Sequence, residues 1–292
     1  MHSILYKMER SSYIQTIGVI GAGVMGNGIA QVAAASGFQV ILQDIHGDAL
    51  EKALSQIRSF LTKSVEKGKL SESEKDEILG RIRTTTEVTE VKADLIIEAI
   101  LENLEIKRKL ISALESVNSH QTIIASNTST LPITRIAAGA LRPENIVGMH
   151  FFNPAPLMKL VEVIAGEMTH PEIAETVFEV SSRMGKSPVH VKDEPGFIVN
   201  RVARPYYLEG LRLYEEQVAD FTAIDELMEA TGFKMGPFRL MDLIGVETNH
   251  EVTKSLYASF FHETRFRPSR VQQKKVDAGN FGRKTGKGFY SY

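Results

Sequence analysis

The chain has 292 residues, of which 43% are hydrophobic and 24% charged, a composition typical of a globular protein with one or two domains. Its net charge of −2 gives no sign of a nucleic-acid partner, and no apolar run approaches the roughly 18 residues that span a bilayer, so no membrane segment is predicted. The chain has no cysteine, which excludes disulfides, thiolate metal sites and a cysteine nucleophile, and a cytoplasmic location is the simplest interpretation.

Residues 1–15 contain charges but no apolar core, so we expect a short extension and not a secretory signal. From residue 16 onwards, short apolar runs alternate with amphipathic stretches, the pattern of βαβ units in a mostly parallel sheet. The predicted strands are Thr16–Ile20, Gln39–Gln43, Asp94–Ala99, Thr122–Ala125, Ile146–Phe151, Leu160–Ile164 and Val189–Lys192.

A long helical insertion is predicted between the second and third strands. Leu50, Leu54, Ile57 and Leu61 recur at helical spacing, and a second helix is expected over Ser71–Ile82. Between them, Lys63, Lys67 and Lys69 form a basic helix end in a chain that is slightly acidic overall.

After Glu194-Pro195-Gly196 the pattern changes to helical spacing alone. We therefore predict an N-terminal α/β domain over residues 16–199 and an all-α domain over residues 200–292.

A glycine-rich loop of the pattern G-x-G-x-x-G follows the first strand and opens a helix, as in a Rossmann-type domain. Its members are Gly21, Ala22, Gly23, Val24, Met25 and Gly26. Gly21 would form the tight turn, Gly23 would let a pyrophosphate approach the backbone, and Gly26 would allow close packing of helix on strand. The alternative is a glycine turn before a core helix.

Asp44 lies 18 residues after Gly26, at the end of the second strand. A carboxylate there accepts the adenosine ribose hydroxyls of NAD and repels the additional phosphate of NADP, and no adjacent Arg or Lys offsets that repulsion. The sequence therefore predicts NAD as the cofactor. A capping role for Asp44 is the alternative, and His46 is the one neighbour able to soften the discrimination.

His150 ends a strand before a proline-containing turn, and Glu162 lies in the extended run after it. If the chain reverses around Pro156, the two side chains are equally far from the turn on antiparallel segments, within reach of a hydrogen bond. An imidazole held by a carboxylate is a suitable general base for an alcohol proton. A structural histidine is the alternative.

Hydroxyl and amide side chains follow the strand Thr122–Ala125, in the run Ser126-Asn127-Thr128-Ser129-Thr130. Polar groups at the carboxyl ends of parallel strands are placed to bind ligands. They could equally cap the helix predicted to begin near Pro132.

Several motifs, in order along nearly the whole chain, resemble those of the 3-hydroxyacyl-CoA dehydrogenases. These motifs are Gly21–Gln31, Ser126–Ser129, His150–Pro154, Met158–Glu162, Pro195–Arg201 and Gly282–Tyr290. The segments Gly232–Phe238 and Met241–Gly245 resemble the bacterial branch that acts on 3-hydroxyadipyl-CoA in phenylacetate breakdown, to which the 3-hydroxybutyryl-CoA enzymes of β-oxidation and butanoate metabolism are close relatives.

The resemblance implies roles for particular residues. It makes His150 the base and Glu162 its orienting partner, with Ser129 and Asn200 hydrogen-bonded to the 3-oxygen of the substrate or to the base. It adds NAD contacts at Glu102, Lys107, Ser129, Asn153 and Lys284. It likens the insertion to a coenzyme A-binding arm, with Lys63 and Lys67 as candidates for the CoA phosphates, although a solvated basic helix end would show the same residues. It also implies a homodimer, with the all-α domain serving dimerisation or substrate binding.

The activity so implied is NAD-dependent oxidation of an (S)-3-hydroxyacyl-CoA to the 3-oxoacyl-CoA. No HExxH motif or carboxylate cluster predicts a metal. The rival from another class is a catalytically silent NAD-binding homologue with a structural or redox-sensing role. Two sibling dehydrogenase classes fit less well: sugar-nucleotide oxidisers need a cysteine, and the enzymes of free β-hydroxyacids use a catalytic lysine.

Overall fold

The computed structural model describes residues 13–292, so residues 1–12 of the predicted extension lie outside the described part. Of the remaining three, Ile14 is fully buried in the core and the backbone N–H of Gln15 donates to Asp94. The chain forms two compact units, one ending at Asp193 and the other comprising Glu194–Tyr292, whereas the sequence places the boundary after residue 199.

Eight strands of the first unit form one sheet: β1 Thr16–Ile20, β2 Gln39–Gln43, β3 Ile82–Thr85, β4 Leu95–Glu98, β5 Ile123–Ser126, β6 Ile146–Phe151, β7 Leu160–Ala165 and β8 Ser187–Lys192. Their order in the sheet is β3-β2-β1-β4-β5-β6-β7-β8. All neighbours pair in parallel except β6 and β7, which are antiparallel, so the predicted mostly parallel sheet is confirmed.

One strand, β3, differs from the sequence-based prediction, which continued a helix to Ile82. The helix ends at Gly80, and Ile82–Thr85 pairs in parallel with β2 at the edge of the sheet. Arg83 and Thr84 leave this segment without the apolar run that would predict a strand. A strand at the edge of a sheet can carry such polar residues because it is only partly buried. The pairing with β2, which lies 40 residues away in sequence, therefore decides the structure.

Over residues 13–193, six helices accompany this sheet: α1 Val24–Ala35, α2 Gly47–Glu66, α3 Glu72–Gly80, α4 Leu104–Val117, α5 Ile133–Ala137 and α6 Pro171–Arg183. The predicted insertion consists of α2 and α3. Along α2, Leu50, Ala53, Ile57 and Leu61 are buried on one face, as the helical spacing requires. A reciprocal capping box between Ser71 and Glu74 begins α3.

The parallel strands determine where the functional side chains lie. The central strand β4 is buried along its whole length, as expected of a sheet covered on both faces. Because β1, β2, β4, β5 and β6 run in the same direction, the segments that follow them emerge at one edge of the sheet. The glycine loop, Asp44, Glu102, the run Ser126–Thr130 and the end of the strand that carries His150 all belong to that edge.

The second unit contains five helices: α7 Val199–Glu215, α8 Phe221–Ala230, α9 Pro237–Ile244, α10 Val246–Ser259 and α11 Arg270–Asp277. Apart from isolated bridges near its end, residues 194–292 contain no strand, so the all-α prediction is confirmed. The C-terminal segment is fastened by Asp242, whose carboxylate accepts the backbone N–H groups of Phe289 and Tyr290. Within residues 13–292 no helix has the length and apolar character that crossing a membrane would require.

Candidate active site

The glycine loop between β1 and α1 has the geometry of a dinucleotide-binding turn. Gly21 has a φ of +97° and its N–H donates to the carbonyl of Gln43 at 2.7 Å, a conformation that favours glycine. A Cβ on Gly26 would lie 1.7 Å from the carbonyl oxygen of Gly21, so packing of the helix on the loop excludes any side chain there.

Gly23 is different, because a Cβ added to it would meet no atom of the protein within 4 Å. The fold itself therefore does not require glycine at this position. Gly23 precedes the first turn of α1, where helix N–H groups and the helix dipole favour a phosphate. Open space over this helix end fits the close approach of a pyrophosphate, so the loop is suited to holding the dinucleotide.

The carboxylate of Asp44 is held against the same loop. It accepts the N–H of Ala22 at 2.7 Å and the N–H of His46 at 3.0 Å, one on each oxygen. Both the cofactor role and the capping role left open by the sequence are therefore compatible with its position, since each carboxylate oxygen can accept a second hydrogen bond.

An ion cluster with two buried members, Lys107 and Glu98, lies behind the loops that follow β4 and β5. The ammonium of Lys107, on α4, is 2.5 Å from Oε1 of Glu98 and 3.2 Å from Oε2 of Glu102. The Lys107 and Glu98 side chains are each 1% exposed. Glu98 also accepts the hydroxyl of Ser126 at 2.7 Å, so the cluster connects the ends of β4 and β5.

Glu102 connects the ion cluster to the Ser126–Thr130 run through hydrogen bonds. Its Oε1 accepts four hydrogen bonds at 2.6–3.2 Å, from the hydroxyls of Thr128 and Thr130 and from the N–H groups of Ser129 and Thr130. Burial alone would raise the pKa of Glu102, but Lys107 and the two threonine hydroxyls outweigh it, so the pKa lies below the ordinary value of 4.5. An ionised Glu102 thus holds the backbone at Ser129.

These contacts qualify two sequence-based interpretations. Helix α5 begins at Ile133, after Pro132, and its first amides, those of Ile133 and Thr134, donate to Asp193 at 2.7 Å each, so the Ser126–Thr130 run does not cap this helix. Lys107, predicted to contact the cofactor, has its ammonium between two carboxylates. Its direct contact with NAD stays a prediction.

Glu98 is a residue that the sequence analysis missed, although its signal was present. A charged residue ends the otherwise apolar strand Leu95–Glu98, and it is completely buried. Buried carboxylates require a partner, so a carboxylate in such a strand points to a cation elsewhere in the chain. Asn127 was also missed: its side-chain oxygen accepts the N–H of Phe151 and ties the run after β5 to the end of β6.

His150 and Glu162 are directly opposite each other in the antiparallel β6–β7 pair. Nδ1 of His150 is 2.8 Å from Oε2 of Glu162, and both side chains are buried. The ring of Phe152 lies against the imidazole, with 4.5 Å between centroids. The predicted reversal and pairing are therefore present, and the pair is a carboxylate-oriented imidazole at the ligand-binding edge.

The remaining predicted site residues lie at separate places. Asn153 is exposed just after β6, Lys63 is exposed in the last turn of α2, and Lys67 follows that helix. In the second unit, Asn200 lies in the first turn of α7, and Lys284 forms an ion pair with Glu247. Among residues 13–292 no group of three or more His, Asp or Glu side chains is arranged to hold a metal ion.

Two family models match the chain. Residues 16–194 match the model "3-hydroxyacyl-CoA dehydrogenase, NAD binding domain", and residues 196–292 match the model of the C-terminal domain of the same family. The chain belongs to the 3-hydroxyacyl-CoA dehydrogenase family. It is accordingly an NAD-dependent oxidoreductase, and the family resemblance and the cofactor predicted from the sequence are confirmed.

Individual relatives agree with this assignment. A 3-hydroxyadipyl-CoA dehydrogenase of Escherichia coli is 47% identical over 96% of this chain, which spans 59% of that relative's length. A probable 3-hydroxybutyryl-CoA dehydrogenase of Bacillus subtilis is 43% identical, with 96% of this chain and 98% of the relative covered. A crystal structure of a 3-hydroxybutyryl-CoA dehydrogenase from E. coli K12 superimposes with a TM-score of 0.93 and 47% identity, covering 95% of this chain and 59% of that one.

Asp44 should make NAD⁺ strongly preferred over NADP⁺, because the 2′-phosphate would face a carboxylate. The kcat/KM values for both cofactors measure the preference. Asp44→Asn keeps an oxygen that can accept the Ala22 N–H but removes the charge, so the preference should narrow by about tenfold or more, which corresponds to about 1.4 kcal/mol of repulsion. Equal use of both cofactors by the wild type would contradict this role.

Glu102 should contribute stability that depends on pH. Because its pKa is lower in the folded protein, the contribution is fully present above about pH 4.5 and is lost as the pH falls through the folded value. Glu102→Gln retains an oxygen acceptor, so the difference in free energy of unfolding between wild type and variant should be larger at neutral pH than at about pH 3.5.

The matched control is Glu105→Gln on the exposed face of α4, where the carboxylate contacts Arg108. Exposed ion pairs contribute little to stability, so its effect should be small at both pH values. A Glu102→Gln difference that is the same at both pH values would refute the electrostatic role of Glu102.

Proposed function

We propose that this chain oxidises an (S)-3-hydroxyacyl-CoA to the 3-oxoacyl-CoA with NAD⁺ as hydride acceptor, using His150 and Glu162 as a general-base pair. The observation that supports this proposal most is the buried 2.8 Å contact between His150 Nδ1 and Glu162 Oε2 at the edge where the glycine loop opens. An imidazole so oriented is suited to removing a proton from an alcohol.

In this proposal Nε2 is the ring atom of His150 that accepts the proton. With Nδ1 facing the carboxylate, the neutral imidazole carries its proton on Nδ1 and donates it to Glu162, which leaves the Nε2 lone pair as the proton acceptor. When the 3-hydroxyl proton moves to Nε2, the imidazole becomes a cation, and Glu162 stabilises that charge from the opposite side. Burial of both side chains strengthens this stabilisation, because the local dielectric constant is low.

NAD⁺, when bound, supplies the redox chemistry by accepting the hydride from C3. The O–H bond of the substrate breaks as its proton goes to Nε2, and a carbonyl forms at C3. The contribution of the chain is therefore to orient the reactants and to hold one proton. Gly21–Gly26 and Asp44 would hold the dinucleotide, with Glu102, Lys107, Asn153 and Lys284 as further contacts implied by the family.

Ser129 and Asn200 are proposed, from the family resemblance, to hydrogen-bond the 3-oxygen or the base. For Ser129 the structure adds a physical argument. Glu102 accepts the Ser129 N–H at 3.1 Å and holds Thr128 and Thr130 on either side, so the run that presents Ser129 is rigidly supported. A group held in place before the reaction avoids the entropic cost of being ordered during it.

The acyl carrier is proposed to be coenzyme A, bound in part by the insertion α2–α3. Lys63 and Lys67, at the end of α2, are exposed cations suited to phosphate groups. The named relatives act on 3-hydroxyadipyl-CoA or 3-hydroxybutyryl-CoA, and both are proposed as substrate candidates here. We also propose that the chain works as a homodimer, as the family resemblance implies.

Replacing the base should abolish most of the activity. His150→Gln is expected to lower kcat by about 10²–10⁴, the usual contribution of a positioned acid–base group, while binding of NADH survives. Glu162→Gln should slow the reaction less and change its pH profile. Steady-state kinetics and fluorescence titration with NADH measure these effects. The control His120→Gln, at an exposed position, should leave both unchanged, and near-normal turnover of His150→Gln would disprove the mechanism.

The substrate should need its coenzyme A carrier. Free 3-hydroxybutyrate is expected to be a poor substrate, and Lys63→Ala/Lys67→Ala should raise KM with little change in kcat, because a remote phosphate contact is equal in the ground and transition states. Salt should raise the KM of the wild type, since exposed charges are screened beyond about 8 Å at physiological ionic strength. Lys52→Ala, at an exposed position nearer the start of the same helix, is the control.

Three outcomes separate the parts of this proposal. Similar kcat/KM values for free 3-hydroxybutyrate and its thioester would overturn the requirement for coenzyme A. An unchanged KM in the double variant would overturn only the assignment of the two lysines. A chain that binds NADH but turns over no 3-hydroxyacyl thioester would instead be the silent homologue.

A further inference from the structure

Arg204 is a buried cation in the second unit, 3% exposed, and lies on α7 one turn after Asn200. Its Nη1 donates to the backbone carbonyl of Asn249 at 2.8 Å and to the hydroxyl of Thr253 at 3.0 Å. The guanidinium lies over the ring of Tyr207, 4.7 Å from its centroid. These partners are all uncharged.

Arg204 differs in this respect from Lys107, the buried cation of the first unit. Across the described part of the chain, residues 13–292, no Asp or Glu pairs with Arg204. Burial lowers the pKa of its guanidinium to about 10, and Tyr207 offsets this only in part. A buried charge without a counter-ion is strongly unfavourable, so a folded protein seldom retains one without a reason.

Two donors in this place also need an acceptor. Nε of Arg204 and Nδ2 of Asn249 are both buried and have no hydrogen-bond partner among the residues that the structure describes. The two residues adjoin, since Nη1 of Arg204 contacts the carbonyl of Asn249. Donors of a guanidinium and an amide, with one positive charge and no acceptor, are complementary to a carboxylate.

The position of Arg204 on α7 indicates that the complementary carboxylate belongs to the acyl chain of the substrate. Asn200 and Arg204 are four residues apart and therefore share a helix face, about 6 Å apart along the axis. In the proposed function Asn200 hydrogen-bonds the oxygen on C3 of the acyl chain or the base that takes its proton, so it lies close to C3 in either case. In a six-carbon dicarboxylic acyl group, the far carboxyl carbon is three C–C bonds from C3, roughly 4 Å when extended. The remaining distance from the carboxylate oxygens to the guanidinium of Arg204 is then about the length of one hydrogen bond.

We propose that Arg204 and Asn249 form a subsite for the terminal carboxylate of a dicarboxylic 3-hydroxyacyl thioester, with 3-hydroxyadipyl-CoA as the fitting length. The inference rests on the proposed function and deepens it by choosing between two acyl groups. Arg204 acts as a specificity-determining residue, because a neutral acyl chain of the same length leaves the two donors unsatisfied.

The test compares two substrates that differ only in the terminal group, 3-hydroxyadipyl-CoA and 3-hydroxyhexanoyl-CoA. The wild type should have a kcat/KM at least about tenfold higher for the dicarboxylic substrate. Arg204→Leu should lower kcat/KM for 3-hydroxyadipyl-CoA by about 10- to 100-fold, the effect of losing a hydrogen bond to a charged group, and leave that for 3-hydroxyhexanoyl-CoA unchanged or higher.

A second variant covers the case in which Arg204→Leu does not fold. Asn249→Asp has the same shape, and its carboxylate can still accept the bond from Gln272 that Asn249 Oδ1 receives at 2.9 Å. It places a negative charge beside Arg204, so it should stabilise the fold and lower kcat/KM for the dicarboxylic substrate alone. The matched control is Arg212→Leu, which removes a half-exposed arginine from the same helix and should preserve the ratio.

The outcomes are distinguishable from failure of the proposed function. No turnover of any 3-hydroxyacyl thioester by the wild type would disprove that function. A wild type that is active but does not prefer the dicarboxylic substrate, or a preference that survives both Arg204→Leu and Asn249→Asp, would overturn the subsite and make Arg204 a structural residue. If Arg204→Leu is inactive on both substrates, the ratio in Asn249→Asp decides.

Discussion

The change of strand direction between β6 and β7 is the constraint on which the candidate site depends. Because β7 runs antiparallel to β6, the residue opposite His150 comes from the start of the next strand, and the register makes it Glu162. If β7 ran parallel to β6, the last residues of β7 would lie opposite His150, and not its first residues. A one-residue slip would turn Glu162 to the other face of the sheet, so register and chemistry are coupled. The turn between the strands therefore sets the distance between the His150 imidazole and the Glu162 carboxylate.

The ion cluster of Glu98, Lys107 and Glu102 fixes the positions of the neighbouring loops, as the β6–β7 pairing fixes the position of His150. Burying charges is costly, and the geometry offsets that cost because each carboxylate has further donors: Ser126 and Ile100 on Glu98, and the threonine hydroxyls on Oε1 of Glu102. Charges that are satisfied only in one arrangement make alternative arrangements unfavourable. The cluster therefore rigidifies the run that carries Ser129, at the cost of some stability compared with an apolar core of the same volume.

Lys107 and Arg204, the two buried cations among residues 13–292, show that the surroundings of a buried charge decide what it can do. Lys107 has two carboxylate partners, so its charge is compensated within the fold. Arg204 has hydroxyl, carbonyl and aromatic partners, and its charge is balanced by none of the described residues. The first arrangement supports a site from behind, whereas the second is suited to receiving an anion from outside. The difference between a compensated and an uncompensated buried cation cannot be seen in the composition or the net charge.

The amino-acid sequence alone determined the class of fold, the dinucleotide loop, the cofactor and the family, because each depends on local patterns: strand alternation, glycine spacing and Asp44 after an apolar strand. It also placed His150 opposite Glu162, since a proline turn constrains both flanking strands. Tertiary structure alone decided the rest. The edge strand Ile82–Thr85 forms through pairing with β2, α5 is capped by Asp193 from about 60 residues away, and Lys107 meets Glu98 and Glu102 only once α4 packs on the sheet. Such contacts join parts of the chain that are distant in sequence, so a local sequence pattern cannot predict which residue will pair with a buried charge.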